Sequence, residues 1–253
     1  MLADFLAVNI YAFFLVFARV GSAMMLLPGF AASYVPIRIR LAAALAISFV
    51  VLPMLTPILP APPTSAPETV VLFAKEVLTG AFLGTLAAIF VASLQTAGTL
   101  IALFAGLANA LIQDAIAEQQ SSTIASFLSA AGVLLMFVTD LHHLMLTAVI
   151  DSYMVFAPAE PFIFGDAGQF LARQVGDSFA LGLQMSAPFM LVAIVYYVGL
   201  GLLGRLMPAL PVFFIGMPVQ IAAQIWVLMI TFSGIMMVFL RHFQDGYANF
   251  LNP

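Results

Sequence analysis

The chain contains no cysteine, which excludes disulfides, thiolate metal sites and cysteine nucleophiles together. Charge is almost as scarce. Of 253 residues only 7 are Lys or Arg and 11 are Asp or Glu, 7% of the chain, against about 25% in globular proteins. So few ionic groups cannot solvate the surface of a 27.0 kDa globule. Seven scattered basic residues also cannot build a phosphate-neutralising patch, so no nucleic-acid partner is expected. The start of the chain, Met1-Leu2-Ala3-Asp4, has no basic n-region, and no A-x-A-like site closes the first apolar run. That run is therefore expected to remain in the mature protein.

What is present is hydrocarbon. Apolar residues make up 64% of the chain, against about 45–50% in globular proteins, and the mean hydropathy is +1.16. This composition belongs to an integral membrane protein, whose unit is a helix of about 20 apolar residues. The expected fold class is all-α: one membrane domain over residues 1–253, a polytopic hydrophobic helical bundle with about six long hydrophobic segments, some open to breaks into hairpins. The segments run over roughly 5–29, 41–60, 69–113, 124–156, 178–204 and 213–240. Prolines at 60, 62, 63 and 67 make the second boundary firm, because proline lacks the amide donor and clashes with the preceding turn. The third segment carries no charge from Val77 to Gln113, too long for one ordinary span, so a long tilted helix or a break at Gly98 or Gly106 is expected. Small residues recur there at four-residue spacing: Gly80, Gly84 and Ala88, then Gly98, Ala102, Gly106 and Ala110. That spacing lines one helix face, where backbones can approach closely. Arg38 and Arg40 after the first segment point to a cytoplasmic link, although Arg241 pulls against that orientation.

The polar residues are few enough to take one by one. Arg19 lies deep in the first segment and reads either as snorkelling or as paired inside the bundle. Lys75 and Glu76 read as boundary charges. Between the third and fourth segments lies a polar island from Asn109 to Thr123, with Gln113, Asp114, Glu118 and Gln119. Farther on, Thr139, His143, Thr147 and Asp151 stand four apart and form one polar stripe if the helix is continuous. It reads as a buried hydrogen-bonded stripe joining helices, with a proton relay as the other possibility. Asp140 and His142 lie beside it. The adjacent His142 and His143 would point about 100° apart on such a helix, which disfavours a shared metal. No G-x-S-x-G, P-loop or dinucleotide-binding motif occurs, so neither an enzyme nor a cofactor is expected.

Several stretches carry a family texture. Phe14-Leu15-Val16-Phe17-Ala18-Arg19-Val20-Gly21, then Pro28-Gly29-Phe30 and Val35-Pro36-Ile37-Arg38-Ile39-Arg40-Leu41, resembles the opening of the FliR family of type III secretion export-apparatus proteins. Phe137 to His143 and Asp151-Ser152-Tyr153 resemble its central segment, and Val212 to Pro218 its late hairpin. Where that family commonly carries Pro-Gln-x-Asn, this chain has Pro208-Ala209-Leu210-Pro211.

The resemblance implies a flagellar export gate in the bacterial inner membrane, within the basal body. FliP-like and FliQ-like subunits would form the pore with this chain, and FlhB-like and FlhA-like components would adjoin it. Unfolded flagellar proteins would be the cargo, and membrane lipid would surround the assembly. It also implies a pore plug or lining at the polar island, carried by Gly106, Asn109, Gln113, Asp114, Glu118 and Gln119, where an ordinary exposed loop is the plainer reading. Packing or subunit contact is the role implied for Arg19, Arg38, Arg40, Asp140, His142, His143, Asp151, Gly216 and Pro218. The rival reading is an ion-coupled secondary transporter for a small solute, using Arg19, the histidines and Asp151 at midplane.

Overall fold

Helices are the one open-ended structure in which a segment bonds its own backbone, as an apolar surrounding demands. In a computed structural model, which describes residues 2–107, 122–158, 160, 164–207 and 212–251, no strand is found among the described residues. Helix α1 spans Leu2–Met24 and α2 spans Ile37–Leu55, followed by a 3-10 turn at Thr56–Ile58. Helix α3 spans Ala66–Phe104, α4 Thr123–Val138, α5 Leu141–Val155, α6 Phe164–Leu206 and α7 Val212–Leu251.

The starts and stops follow local chemistry. Helix α3 starts behind Ser65, whose hydroxyl accepts the Glu68 amide at 3.4 Å, with the Glu68 carboxylate in the positively polarised first turn. Ser122 caps α4 in the same way, its hydroxyl accepting the Ala125 amide at 3.0 Å. Helix α3 passes Gly98 unbroken and ends at Phe104, so the long-helix alternative holds there. The segment expected as one helix over 124–156 is instead divided between α4 and α5. The break falls at Asp140, whose φ of 59° is left-handed, a conformation that Asp tolerates better than most side chains.

Four helical stretches are long and apolar enough to cross a membrane: Ile37–Ile58, Ala66–Phe104, Gly165–Leu206 and Gly216–Tyr247. The broken pair α4 and α5 makes a fifth if counted as one span, and Ile10–Met24 is a shorter apolar helix. The six expected segments therefore correspond to α1, α2, α3, the α4/α5 pair, α6 and α7. Only 17% of the α6 apolar window and 22% of the α7 window are buried within the chain. The remaining apolar surface is left for lipid or other subunits.

The chain divides into two compact units. The first comprises Met1–Ile89, Met136–Gln174 and Phe243–Pro253; the second comprises Phe90–Leu135 and Val175–His242. Leu15, Val16, Val20, Leu83, Leu86 and Tyr153 are core residues of the first, and Phe90, Leu94, Ile101, Leu128, Phe189 and Phe239 of the second. In the first, α3 lies so close to α1 that a Cβ on Gly80 would stand 2.1 Å from the Arg19 carbonyl oxygen. Within the second, Gly98 sits equally close to Ala125 of α4. Part of the small-residue face is thus a packing face, although Ala88 is exposed.

Candidate functional site

Each unit holds one cluster of buried polar groups. In the first unit it is built around Arg19, which is fully buried, as is Glu76. The guanidinium meets the carboxylate two-pronged: Nε donates to Oε2 at 2.7 Å and Nη2 to Oε1 at 2.9 Å. Nη1 donates to the Ser152 hydroxyl at 3.1 Å, and Nη2 also donates to the Phe156 carbonyl at 2.9 Å. The Tyr153 ring lies 3.7 Å from the guanidinium carbon, a cation–π contact. Next to it, Lys75 Nζ donates to the carbonyls of Ala157 at 2.6 Å and Pro158 at 3.0 Å. The cluster ties α1, α3, α5 and the turn after α5 into one clasp. A buried charge is tolerable only when paired and hydrogen-bonded in this way.

The second cluster closes the carboxy-terminal end of α3. The last four carbonyls of a helix have no partner within it. Here the Ile101 carbonyl accepts the Ala105 amide at 2.8 Å, Ala102 the Leu107 amide at 3.0 Å, and Leu103 the Gly106 amide at 3.1 Å. This Schellman arrangement requires a left-handed residue after the helix, and Gly106 supplies it with φ of 74°. The Phe104 carbonyl is left over and accepts from Gln220 Nε2 of α7 at 2.8 Å, with Gln224 Nε2 at 3.5 Å. Gln220 also donates to the Tyr197 hydroxyl at 3.0 Å, and Gln224 to the Phe189 carbonyl at 3.1 Å.

The structure spreads the other expected site residues apart. Asn109, Gln113, Asp114, Glu118 and Gln119 lie outside the described residues. Arg38 is exposed on the first turn of α2, whereas Arg40 donates to the carbonyls of Val35 and Ala32 and so fastens the link between α1 and α2. Gly216 is buried, its carbonyl accepting the Tyr196 hydroxyl; Pro218 is exposed within α7. Beside them α6 and α7 enclose an apolar cavity of about 540 Å³, lined among others by Val195, Leu200, Leu203 and Met207.

The expected buried stripe needs correction. Thr139 precedes the break and is not on α5, while His143, Thr147 and Asp151 do share one face of α5 but are exposed. The face that α5 buries carries Leu141, Met145, Ala148, Val149, Ser152 and Tyr153 instead. Apolar burial, not the polar stripe, orients this helix. The break also changes the expected divergence of the two histidines, whose ring centres lie 4.1 Å apart, with His142 stacked on Phe137. Asp140 Oδ1 stands 3.4 Å from His143 Nδ1, and donor atoms of Asp140, His142 and His143 all fall within 4.8 Å of one another. They occupy the first turn of α5, where the helix dipole opposes a cation.

Sequence reasoning missed Glu76, Ser152, Gln220 and Gln224. The glutamines did leave a signal, two amides four residues apart in an otherwise apolar segment. Glu76 left none that named its partner, which lies 57 residues away.

A family model described as bacterial export proteins, family 1, matches residues 10–246. The flagellar biosynthetic protein FliR of Caulobacter vibrioides is 34% identical over 239 residues, covering 94% of this chain and 95% of that protein. The flagellar biosynthetic protein FliR of Bacillus subtilis is 31% identical over 231 residues, covering 90% and 88%. That of Escherichia coli is 27% identical over 198 residues, covering 76% and 72%.

Proposed function

The chain belongs to the bacterial export proteins, family 1, in its flagellar FliR branch, and on that premise we propose that it is the FliR-type subunit of an inner-membrane export gate. As a membrane protein and a component of the flagellar export apparatus, it works within a larger complex. The finer reading is that it forms, with FliP-like and FliQ-like subunits, the pore through which unfolded flagellar proteins leave the cell. FlhB-like and FlhA-like components adjoin that pore in the basal body. The observation that carries this reading is similarity spread over 94% of the chain, which includes the hydrophobic helices themselves. The large apolar faces of α6 and α7 left open by the lone chain support it, since subunits in a helical assembly need such faces.

In this reading the segment from Gly106 to Thr123 plugs the closed pore. Its Asn109, Gln113, Asp114, Glu118 and Gln119 are groups that water in a lumen can solvate at membrane depth. The exposed Asp140, His143 and Asp151, together with Arg38, are contact positions for neighbouring subunits. Arg19 and Arg40 hold the fold that presents them. Disrupting the gene should abolish secretion of flagellar subunits into the medium, and the intact gene supplied in trans should restore it. Undiminished secretion from the disrupted strain would refute the export role. Deleting residues 110–122 should leave the complex assembled but leaky to small solutes.

A further inference from the structure

We propose that Gln220 and Gln224 of α7 are positioning residues for pore closure: they hold the end of α3 from which the 106–123 segment departs. The inference rests on the plug reading above and goes beyond it by naming what fixes the plug's first residue. Three observations carry it. The amides are nearly fully buried, with exposures of 4% and 2%, in a helix whose other residues are mostly apolar. Buried amides in such a setting cost stability unless their hydrogen bonds serve a purpose. Next, of the four terminal carbonyls of α3, three are satisfied by the helix's own turn, and the Phe104 carbonyl is reached by Gln220. Finally, the left-handed Gly106 lies directly under that amide, a Cβ there standing 3.5 Å from Gln220 Nε2.

The far end of the segment is held in the same unit by a separate device. The Ser122 hydroxyl donates to the Gly98 carbonyl at 3.3 Å while it caps α4. Both ends are therefore fixed to the body of the second unit, one by an amide reaching from α7 and one by a hydroxyl on the segment's own side. Releasing the amide frees the α3 end without touching the cap of α4. Because Gln224 Oε1 is buried with no hydrogen-bond partner, the amide pair is not fully satisfied in this arrangement. A movement of α7 that satisfies it elsewhere offsets the loss of the Phe104 bond. Such a movement is the expected step when the gate opens.

The test uses the assembled complex, with its partner subunits, in liposomes loaded with a self-quenching dye. Four versions are compared: the unaltered complex, Gln220→Met, the 110–122 deletion, and the two changes combined. Methionine keeps the length of the side chain and removes the donor. Loss of that donor should raise the closed-state leak about tenfold, the effect of one buried carbonyl left unsatisfied, and should add nothing in the deletion background. A merely structural role would add to the deletion's leak, and that additivity would overturn the proposal. A leaky deletion beside a tight Gln220→Met complex would also overturn it, leaving the plug reading intact. If the deletion itself is tight, the plug reading fails and the inference with it. Should Gln220→Met lower the yield of complex, Gln220→Asn replaces it: this keeps an amide but falls short of Phe104, and the same outcomes apply.

Discussion

The Arg19 clasp and the Gln220/Gln224 pair both bury polar groups among apolar helices, but they are satisfied to different degrees. Arg19 and Glu76 meet at two points, and the remaining guanidinium donors reach Ser152 and the Phe156 carbonyl. The glutamines reach Phe104 and Phe189 yet leave Gln224 Oε1 without a partner. The difference follows from the cost of failure. An unpaired buried charge costs several kcal/mol, whereas an unsatisfied neutral amide costs about 1–3 kcal/mol. The first cluster suits a joint that must never open. The second suits a joint that can yield.

The sharpest way to break this contrast is to remove one half of the charged pair. Glu76→Ala should destabilise the protein by about 3–5 kcal/mol, read as loss of folded complex in a detergent thermal-unfolding series. The double change Arg19→Met with Glu76→Leu should cost clearly less than either half alone, because no charge is stranded. Equal losses in the single and double variants would show that the sites act through shape, not charge. Crowding the same joint comes next. A Val at Gly80, where a Cβ would meet the Arg19 carbonyl at 2.1 Å, should cost about 1–3 kcal/mol in the same assay.

Smaller effects belong to the backbone. Gly106→Ala should cost about 1 kcal/mol, since the left-handed conformation there is strained for any residue with a Cβ, and should loosen the start of the 106–123 segment. Limited proteolysis at that segment would detect it. Asp140 has the same handedness but an aspartate side chain, so Asp140→Gly should shift stability by about 0.5 kcal/mol or less. A large loss there would mean that the Asp140 carboxylate, beside His143, matters for more than the turn.

Much of the architecture was legible in the sequence, because hydropathy and proline act locally. The prolines from 60 to 67 and the long apolar runs placed the helices, and four-residue spacing of glycine marked where α3 packs closely on α1. The α4/α5 break was not legible. Neither Pro nor Gly marks Thr139-Asp140, and a periodic pattern carries smoothly across a single left-handed residue. Pairing across long separations was hidden for a different reason. Arg19 announced a need for a partner, but nothing local distinguishes Glu76 from a boundary charge. The exposed face of α5 shows the complementary limit: polar residues four apart identify a face, while only the packing of Met145, Ala148 and Ser152 decides that the opposite one is buried.

The central claim is that this chain works as a subunit inside a multi-protein export gate. The most direct test is the native mass and composition of the particle that a tagged copy brings out of its own membranes in mild detergent. A single large particle containing FliP-like and FliQ-like subunits is the expected result. A lone protomer or small homo-oligomer, recovered from cells in which those subunits are expressed, would contradict it and return attention to a small-solute transporter.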